Sequence, residues 1–378
     1  MIRYALVFAM LVIIAFRDFM SFDSDVIYYI DFFENIESLD LSFNGILNQD
    51  SFYVSYTSIE HAITYKFEFG FAYLNFLIYE INNSPFFYKI ALGWPILLIK
   101  LFTIKKFVFT NGRHFQTFLI LYFLWLFWYF DLNAVRAGLS STIIICTFIY
   151  LINTNFSKFF VSVYFSLAVL LGVSIHLSGL LLVTLPIIHY FSMYLHSSSH
   201  KLSLSLIKLN YVYCYLTAIT TLYVCCLLFK IDIIQIILNT FSFNNDLGEK
   251  TLFYSEENKN QYFRVIYSAI SWCFSIWLAV VSARKINLIL KSKSNNVKNH
   301  HMLLFSYYSF LIMLLIIATL NYNFVAAKRL HELFGLFELF MGATVVNKSN
   351  NKLVLNNFII YGYYFCVFGI FIFVNLSK

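Results

Sequence analysis

One segment of this chain sets a fixed cation at the mouth of an apolar run: Asp131-Leu-Asn133-Ala-Val-Arg136-Ala-Gly138-Leu139. A charge well inside a bilayer costs about 2.5–3.5 kcal/mol or more, so such an arginine is paired, snorkelled or set in a wet cavity. A guanidinium binds phosphate or diphosphate bidentately, which makes Arg136 a candidate anion site. The plain alternative is an interfacial arginine anchored by Asp131. A second basic cluster, Lys328-Arg329-Leu-His331-Glu332, stands in the equivalent place before an apolar stretch at 333–346 and is open to the same two readings. His176 is flanked by Ser174 and Ser178. Its imidazole could serve as a general base or orient a hydroxyl, where the plain alternative is a satisfied core histidine.

The segment from Arg17 through Asp23, Asp25, Tyr28 and Tyr29 combines a cation, carboxylates and phenols. Carboxylates accept from hydroxyls and tyrosine rings stack on pyranose faces, so Asp25 and Tyr28 could wall a sugar site. A solvated acidic loop explains the same residues. Glu68, in Lys66-Phe67-Glu68-Phe69-Gly70, is an ionisable group beside an apolar stretch, and pairing with Lys66 would account for it. Asp23-Ser24-Asp25 has the spelling of a metal site without a supporting acidic cluster, so the sequence assigns no metal and no cofactor. Cys146, Cys214, Cys225, Cys226, Cys273 and Cys366 lie in apolar stretches without metal-ligand spacing and read as small core residues.

These groups need a frame at a membrane boundary, and composition supplies it. The chain of 378 residues is 60% hydrophobic with mean hydropathy +0.74, more apolar surface than a soluble domain can cover. It predicts an all-α, polytopic integral membrane protein, a single membrane domain over 1–378, with about ten to eleven transmembrane helices and re-entrant elements. After an uncleaved first helix at 3–16, crossings fit at 85–104, 115–130, 137–153, 159–174, 177–191, 209–229, 263–283, 302–320, 333–346 and 353–375. The run 159–191 exceeds one span and is expected to break around His176 with the turn outside. Residues 67–81 are short for a span and read as a re-entrant or interfacial helix.

Two large outer loops follow, 17–66 and 230–262, the first expected to fold back over the outer face. Threaded by the positive-inside rule, the inner loops carry lysine and arginine but no acid. All nineteen acids fall in outer loops or near outer helix ends. The net charge of +7 therefore orients the protein and is no nucleic-acid signature. The candidate residues lie on the outer side.

In order along the chain, Arg17 with Asp25 and Tyr28, Glu68-Phe69-Gly70-Phe71, Asn133-Ala134-Val135-Arg136-Ala137-Gly138-Leu139, His176-Leu177-Ser178 and Arg329 form a set that resembles the EpsG/Wzy-type polysaccharide polymerases, those of O-antigen and exopolysaccharide. The chain departs from that pattern at Ala137, where the family often has Gln, and in lacking a Gly within 22–25. The resemblance implies a GT-C-like fold in the bacterial inner membrane, with the active site facing the periplasm. It implies a glycosyltransferase that joins repeat units carried on undecaprenyl diphosphate, as donor and acceptor. Membrane lipid surrounds it, and a chain-length regulator is a further partner the resemblance suggests.

In that reaction Arg136 and Arg329 are the expected catalytic cations for the leaving diphosphate, with Lys328 or Arg264 in support. His176 is the expected base, with Asp25 or Glu68 next in line, and Arg17, Tyr28 and Asn133 are expected at the substrate. Transfer by arginine without metal is the simpler account. Two rivals remain at this stage. A flippase for lipid-linked sugar predicts cations along a cavity through the bilayer, whereas here the charges crowd the outer boundary and helix centres read as nearly uncharged. The other is a related enzyme, either a ligase moving glycan onto another lipid, which shares the Arg and His logic, or an acyltransferase with a membrane histidine.

Overall fold

A computed structural model describes residues 2–16, 24–38, 53–57, 64–109, 111–132, 134–154, 156–197, 209–228, 261–291, 297–320, 324–346 and 351–376. The protein is an all-α polytopic membrane protein. Among the described residues, seven helices are long and apolar enough to cross a bilayer, and four shorter apolar helices accompany them. Apolar side chains remain on the surface, as a lipid-facing protein requires: Phe8, Phe159, Leu170, Ile187 and Phe358 are all exposed. Packing divides the chain into two units, residues 1–186 with 364–378, and residues 187–363.

The first unit contains α1 (Ile2–Ala15), α2 (Ser24–Glu34), a hairpin of β1 (Tyr53–Thr57) and β2 (Thr64–Glu68), α3 (Phe69–Ile81), α4 (Pro85–Thr103), α5 (Gly112–Leu124), α6 (Val135–Asn153) and α7 (Lys158–Ile175). The hairpin has no counterpart in the sequence expectations: it closes the expected outer loop and takes the first two residues of the segment expected as helix from 67. It pairs antiparallel from Tyr53↔Glu68 to Thr57↔Thr64, with Val54 and Tyr56 buried and Ser55 and Thr57 exposed, the alternation that gives a strand one apolar face. That face meets α2, α3 and α4 in an aromatic core of Tyr29, Phe32, Phe33, Tyr56, Phe67, Phe71 and Tyr88. Phe33 stacks on Tyr88 at 4.3 Å and Phe32 lies 4.4 Å from Phe67. Tyr56 ties the hairpin to α2 by donating to the Asp31 carboxylate over 3.1 Å.

Helix α3 has 13 residues, about 20 Å, shorter than a full span. The expected crossing at 115–130 is corrected: α5 stops at Leu124, Trp125 leaves the helical region (φ −136°, ψ −81°), and a π-turn follows at Phe127–Asp131. The run at 159–191 breaks where the sequence indicated. His176 is extended (φ −156°, ψ 123°) between α7 and a 3-10 turn at Leu177–Val183, which leads into α8 (Thr184–Ser197).

Beyond α8 come α9 (Leu209–Leu228), α10 (Gln261–Lys291), α11 (Val297–Leu320), α12 (Phe324–Val345) and α13 (Asn351–Leu376). Several run longer than their apolar cores. Helix α10 has 31 residues, about 46 Å, so it overshoots a hydrocarbon layer of about 30 Å. Helix α12 starts at Phe324, which puts Lys328, Arg329 and His331 inside a helix instead of ahead of one. The cysteines are mixed: Cys146 and Cys226 are buried, Cys225 is half-buried, and Cys214, Cys273 and Cys366 are exposed on helix surfaces. The last three are not core residues.

Candidate functional site: a carboxylate shared by arginine and histidine

Glu68 ends β2 and is the residue before α3, so the strand-to-helix junction fixes where its side chain emerges. Its two oxygens are divided. Arg136 Nη1 donates to Oε2 over 2.6 Å and His176 Nδ1 lies 2.9 Å from Oε1. Arg136 is the second residue of α6, while His176 occupies the extended break after α7. The Arg136 Nε also donates to the Tyr29 hydroxyl on α2 over 3.2 Å. Its guanidinium carbon lies 5.3, 5.1 and 5.7 Å from the ring centres of Tyr29, Phe67 and Phe71. Cation–π contacts of this kind strengthen where water is excluded.

Close helix packing brings these elements together. A Cβ on Gly70 would come within 2.8 Å of the Ser174 backbone, and one on Gly172 within 2.6 Å of the Ile144 side chain. Glycine at the first position lets α3 touch α7, and at the second lets α7 lie on α6. Together they deliver Glu68, His176 and Arg136 to one point.

The site is asymmetric in its access. The Glu68 side chain is 3% exposed, against 19% for Arg136 and 17% for His176, so the carboxylate is sealed and the two bases face outward. Burial pushes the Glu68 carboxyl up, but the His176 hydrogen bond and the Arg136 charge overcome this and hold it at about 2. An ionised carboxylate only accepts, so His176 Nδ1 must carry the proton, which makes Nε2 the basic nitrogen of the neutral ring. The cluster therefore offers a guanidinium for an anion and an oriented imidazole for proton transfer.

Two partner expectations are corrected. Asp131 does not anchor Arg136. Its carboxylate accepts from Lys100 Nζ over 2.7 Å and from the Tyr122 hydroxyl, and Lys100 also donates to Tyr122 over 2.7 Å. Glu68 pairs with Arg136 and His176 instead of Lys66. The Phe107 and Tyr150 rings, 5.7 Å apart, set a common level on α4's end and α6. At about 1.5 Å per residue, Lys100 stands about 10 Å and Arg136 about 20 Å along their helices from that level, so the Lys100–Asp131–Tyr122 cluster is separate from the Glu68 site. Lys100, Asp131 and Tyr122 are all buried.

In the second unit, His331 Nε2 lies 2.8 Å from Glu338 Oε2, and Ser275 Oγ donates to the same oxygen over 3.3 Å. Glu338 is fully buried within α12. With Lys100, it contradicts the expectation of nearly uncharged helix centres.

Of the other sequence candidates, Tyr28 is half-buried next to Tyr29, the tyrosine that meets Arg136. Arg17 and Asn133 fall outside the described residues. Asp25, Arg264, Lys328 and Arg329 are placed in α2, α10 and α12 by their backbone, and their side chains are outside the described set. Tyr29 belongs to the phenol-bearing segment after Arg17 and Phe71 to the Glu68-Phe69-Gly70-Phe71 motif, yet nothing in the sequence places them or Phe67 around Arg136.

Fold and site define a multi-pass helical membrane protein with an arginine–carboxylate–histidine cluster walled by aromatic rings. The chain belongs to the EpsG family, which it matches over residues 1–378, the family of Wzy/EpsG-type polysaccharide polymerases. No curated protein and no solved structure gives a significant match.

Proposed function

We propose that the protein joins oligosaccharide repeat units carried on undecaprenyl diphosphate into O-antigen, capsular or exopolysaccharide chains, at the outer face of a bacterial inner membrane. The observation that carries this reading is the Glu68 carboxylate shared by Arg136 and His176, within a family of polysaccharide polymerases. In the reaction a sugar hydroxyl of one lipid-linked unit attacks the anomeric carbon of the other. The bond from that carbon to the diphosphate oxygen breaks, and lipid diphosphate leaves.

His176 Nε2 takes the hydroxyl proton while Glu68 holds the ring through Nδ1 and stabilises the imidazolium that forms. Arg136, steadied by Tyr29, balances the charge that develops on the diphosphate. A preorganised guanidinium supplies this stabilisation without a metal. Arg329 is assigned with Arg136 to the leaving diphosphate, Lys328 or Arg264 to its support, and Arg17, Asp25, Tyr28 and Asn133 to the sugars. A chain-length regulator remains a proposed partner.

A glycan ladder gel of a deletion strain tests the reading. Complementation with wild type restores long chains, and Arg136→Ala leaves one repeat unit, since one lost charge stabiliser costs about 10²–10³ in rate. Complete loss of surface units on deletion would assign a flippase, and polymer retained on the lipid carrier a ligase. Normal long chains from stably expressed Arg136→Ala would remove Arg136 from the chemistry.

A further inference from the structure

Helices α9 and α10 run antiparallel in the second unit, and two contacts fix their ends. Tyr223 on α9 shares a hydrogen bond with Ser268 over 2.7 Å and stacks on Trp272 at 4.4 Å. At the other end, Arg284 Nη2 donates to the Tyr213 hydroxyl over 2.9 Å. Between these ties lies an open groove of about 460 Å³, lined among others by Thr217, Thr220 and Val224 from α9 and Ile276 and Val280 from α10. The lining follows helical spacing, with Ile276, Val280 and Arg284 four residues apart on one face. From Tyr213 to Val224 the groove extends about 16 Å, roughly half of a hydrocarbon core of about 30 Å. That is the depth of one leaflet.

We infer that this groove seats one acyl chain of an anionic phospholipid, whose phosphate is held by Arg284 and Tyr213. Three features favour that occupant. The groove is as deep as a single leaflet, its lining is mainly methyl groups, and its Arg284 end continues into Lys285 and Lys291. A guanidinium has five donors, of which the Tyr213 bond uses one, and a phosphate accepts bidentately from the same fork. Tyr213 adds a hydroxyl at the depth where phenols sit in interfacial belts. The longer polyprenyl chain of a carrier lipid fits a one-leaflet groove poorly. The basic end is also the side that charge distribution assigns to the cytoplasm, where anionic lipid is abundant.

Native mass spectrometry of the full-length protein, titrated with phosphatidylglycerol or phosphatidylcholine, tests this. Wild type should keep one phosphatidylglycerol under conditions that strip phosphatidylcholine. Arg284→Ala should weaken that retention about fivefold, as for one basic residue at a lipid surface. Arg284→Lys should recover most of it, and Thr220→Trp should expel the lipid by filling the groove. Circular dichroism confirms that each variant is folded; if Arg284→Ala is not, the Arg284→Lys and Thr220→Trp results decide alone. Equal retention of both lipids by wild type, or phosphatidylglycerol retention unchanged in Thr220→Trp, overturns the proposal. Stoichiometric displacement of phosphatidylglycerol by undecaprenyl phosphate also overturns it, because the groove would then belong to the carrier lipid.

Discussion

Glu68 is the residue on which the site's electrostatics turn. Glu68, with its side chain 3% exposed, stays ionised because the His176 hydrogen bond and the Arg136 charge offset its burial, and removing one partner of a buried pair costs about 3–5 kcal/mol. Glu68→Gln keeps the shape and removes the charge. It removes the charge beside Arg136 and the carboxylate that fixes the His176 tautomer. The expected outcome is inserted protein whose polymerisation rate falls at least about 10²-fold, the low end of what an oriented general base contributes. In vitro extension of a lipid-linked acceptor measures it.

The pH response has a definite sign. The folded-state value, about 2, is depressed below the ordinary 4.5. The carboxylate therefore adds stability that is complete above the unfolded value and is lost as pH falls toward 2. Thermal unfolding in detergent should show this contribution constant from pH 7 to about 5 and declining below, with that decline absent in Glu68→Gln.

At the scale of elements, glycine contacts and the buried ion cluster hold the charged residues in place. Gly70→Val drives a branched side chain into Ser174 and separates α3 from α7, so it should cut activity by about 10²-fold. Gly362→Ala is the matched control: nothing lies within 4 Å of a Cβ there, and activity should be unchanged. The Lys100–Asp131–Tyr122 cluster fixes the π-turn that leads into α6 and hence Arg136. Asp131→Ala strands a buried ammonium and should lower stability by about 3–5 kcal/mol. Lys100→Met with Asp131→Leu removes both charges and should unfold at a temperature closer to wild type, read by thermal melting in detergent.

These elements were unevenly legible in the sequence. Arg136, His176 and Glu68 stood out because ionisable groups in apolar segments are costly and therefore rare. Their partnership was not visible, since Glu68 meets Arg136 across 68 residues and His176 across 108, far beyond any local pattern. The break at His176 was readable from span length alone. The end of α5 was not, because Trp125 and the π-turn after it are as apolar as a continuing helix.

For the whole molecule, hydropathy announced a multi-pass protein but could not place helix ends, because polar residues extend α10 and α12 past their apolar cores. The expected orientation rests on charge distribution instead. The geometry of the first unit is consistent with it: α2, the hairpin and Glu68 gather at one end of α4, and Lys105 and Lys106 lie at the other. If Glu68 and Arg136 face the periplasm, Glu34 and Lys106, both exposed, lie on opposite sides of the membrane. A membrane-impermeant maleimide applied to intact spheroplasts should label Glu34→Cys at once and Lys106→Cys only after permeabilisation, with wild type giving the background from its own cysteines. The opposite pattern would turn the Arg136 end toward the cytoplasm. Chain growth outside the membrane would then take place on the face opposite the Arg136–Glu68–His176 cluster, so this one labelling result tests the orientation on which the polymerase reading depends.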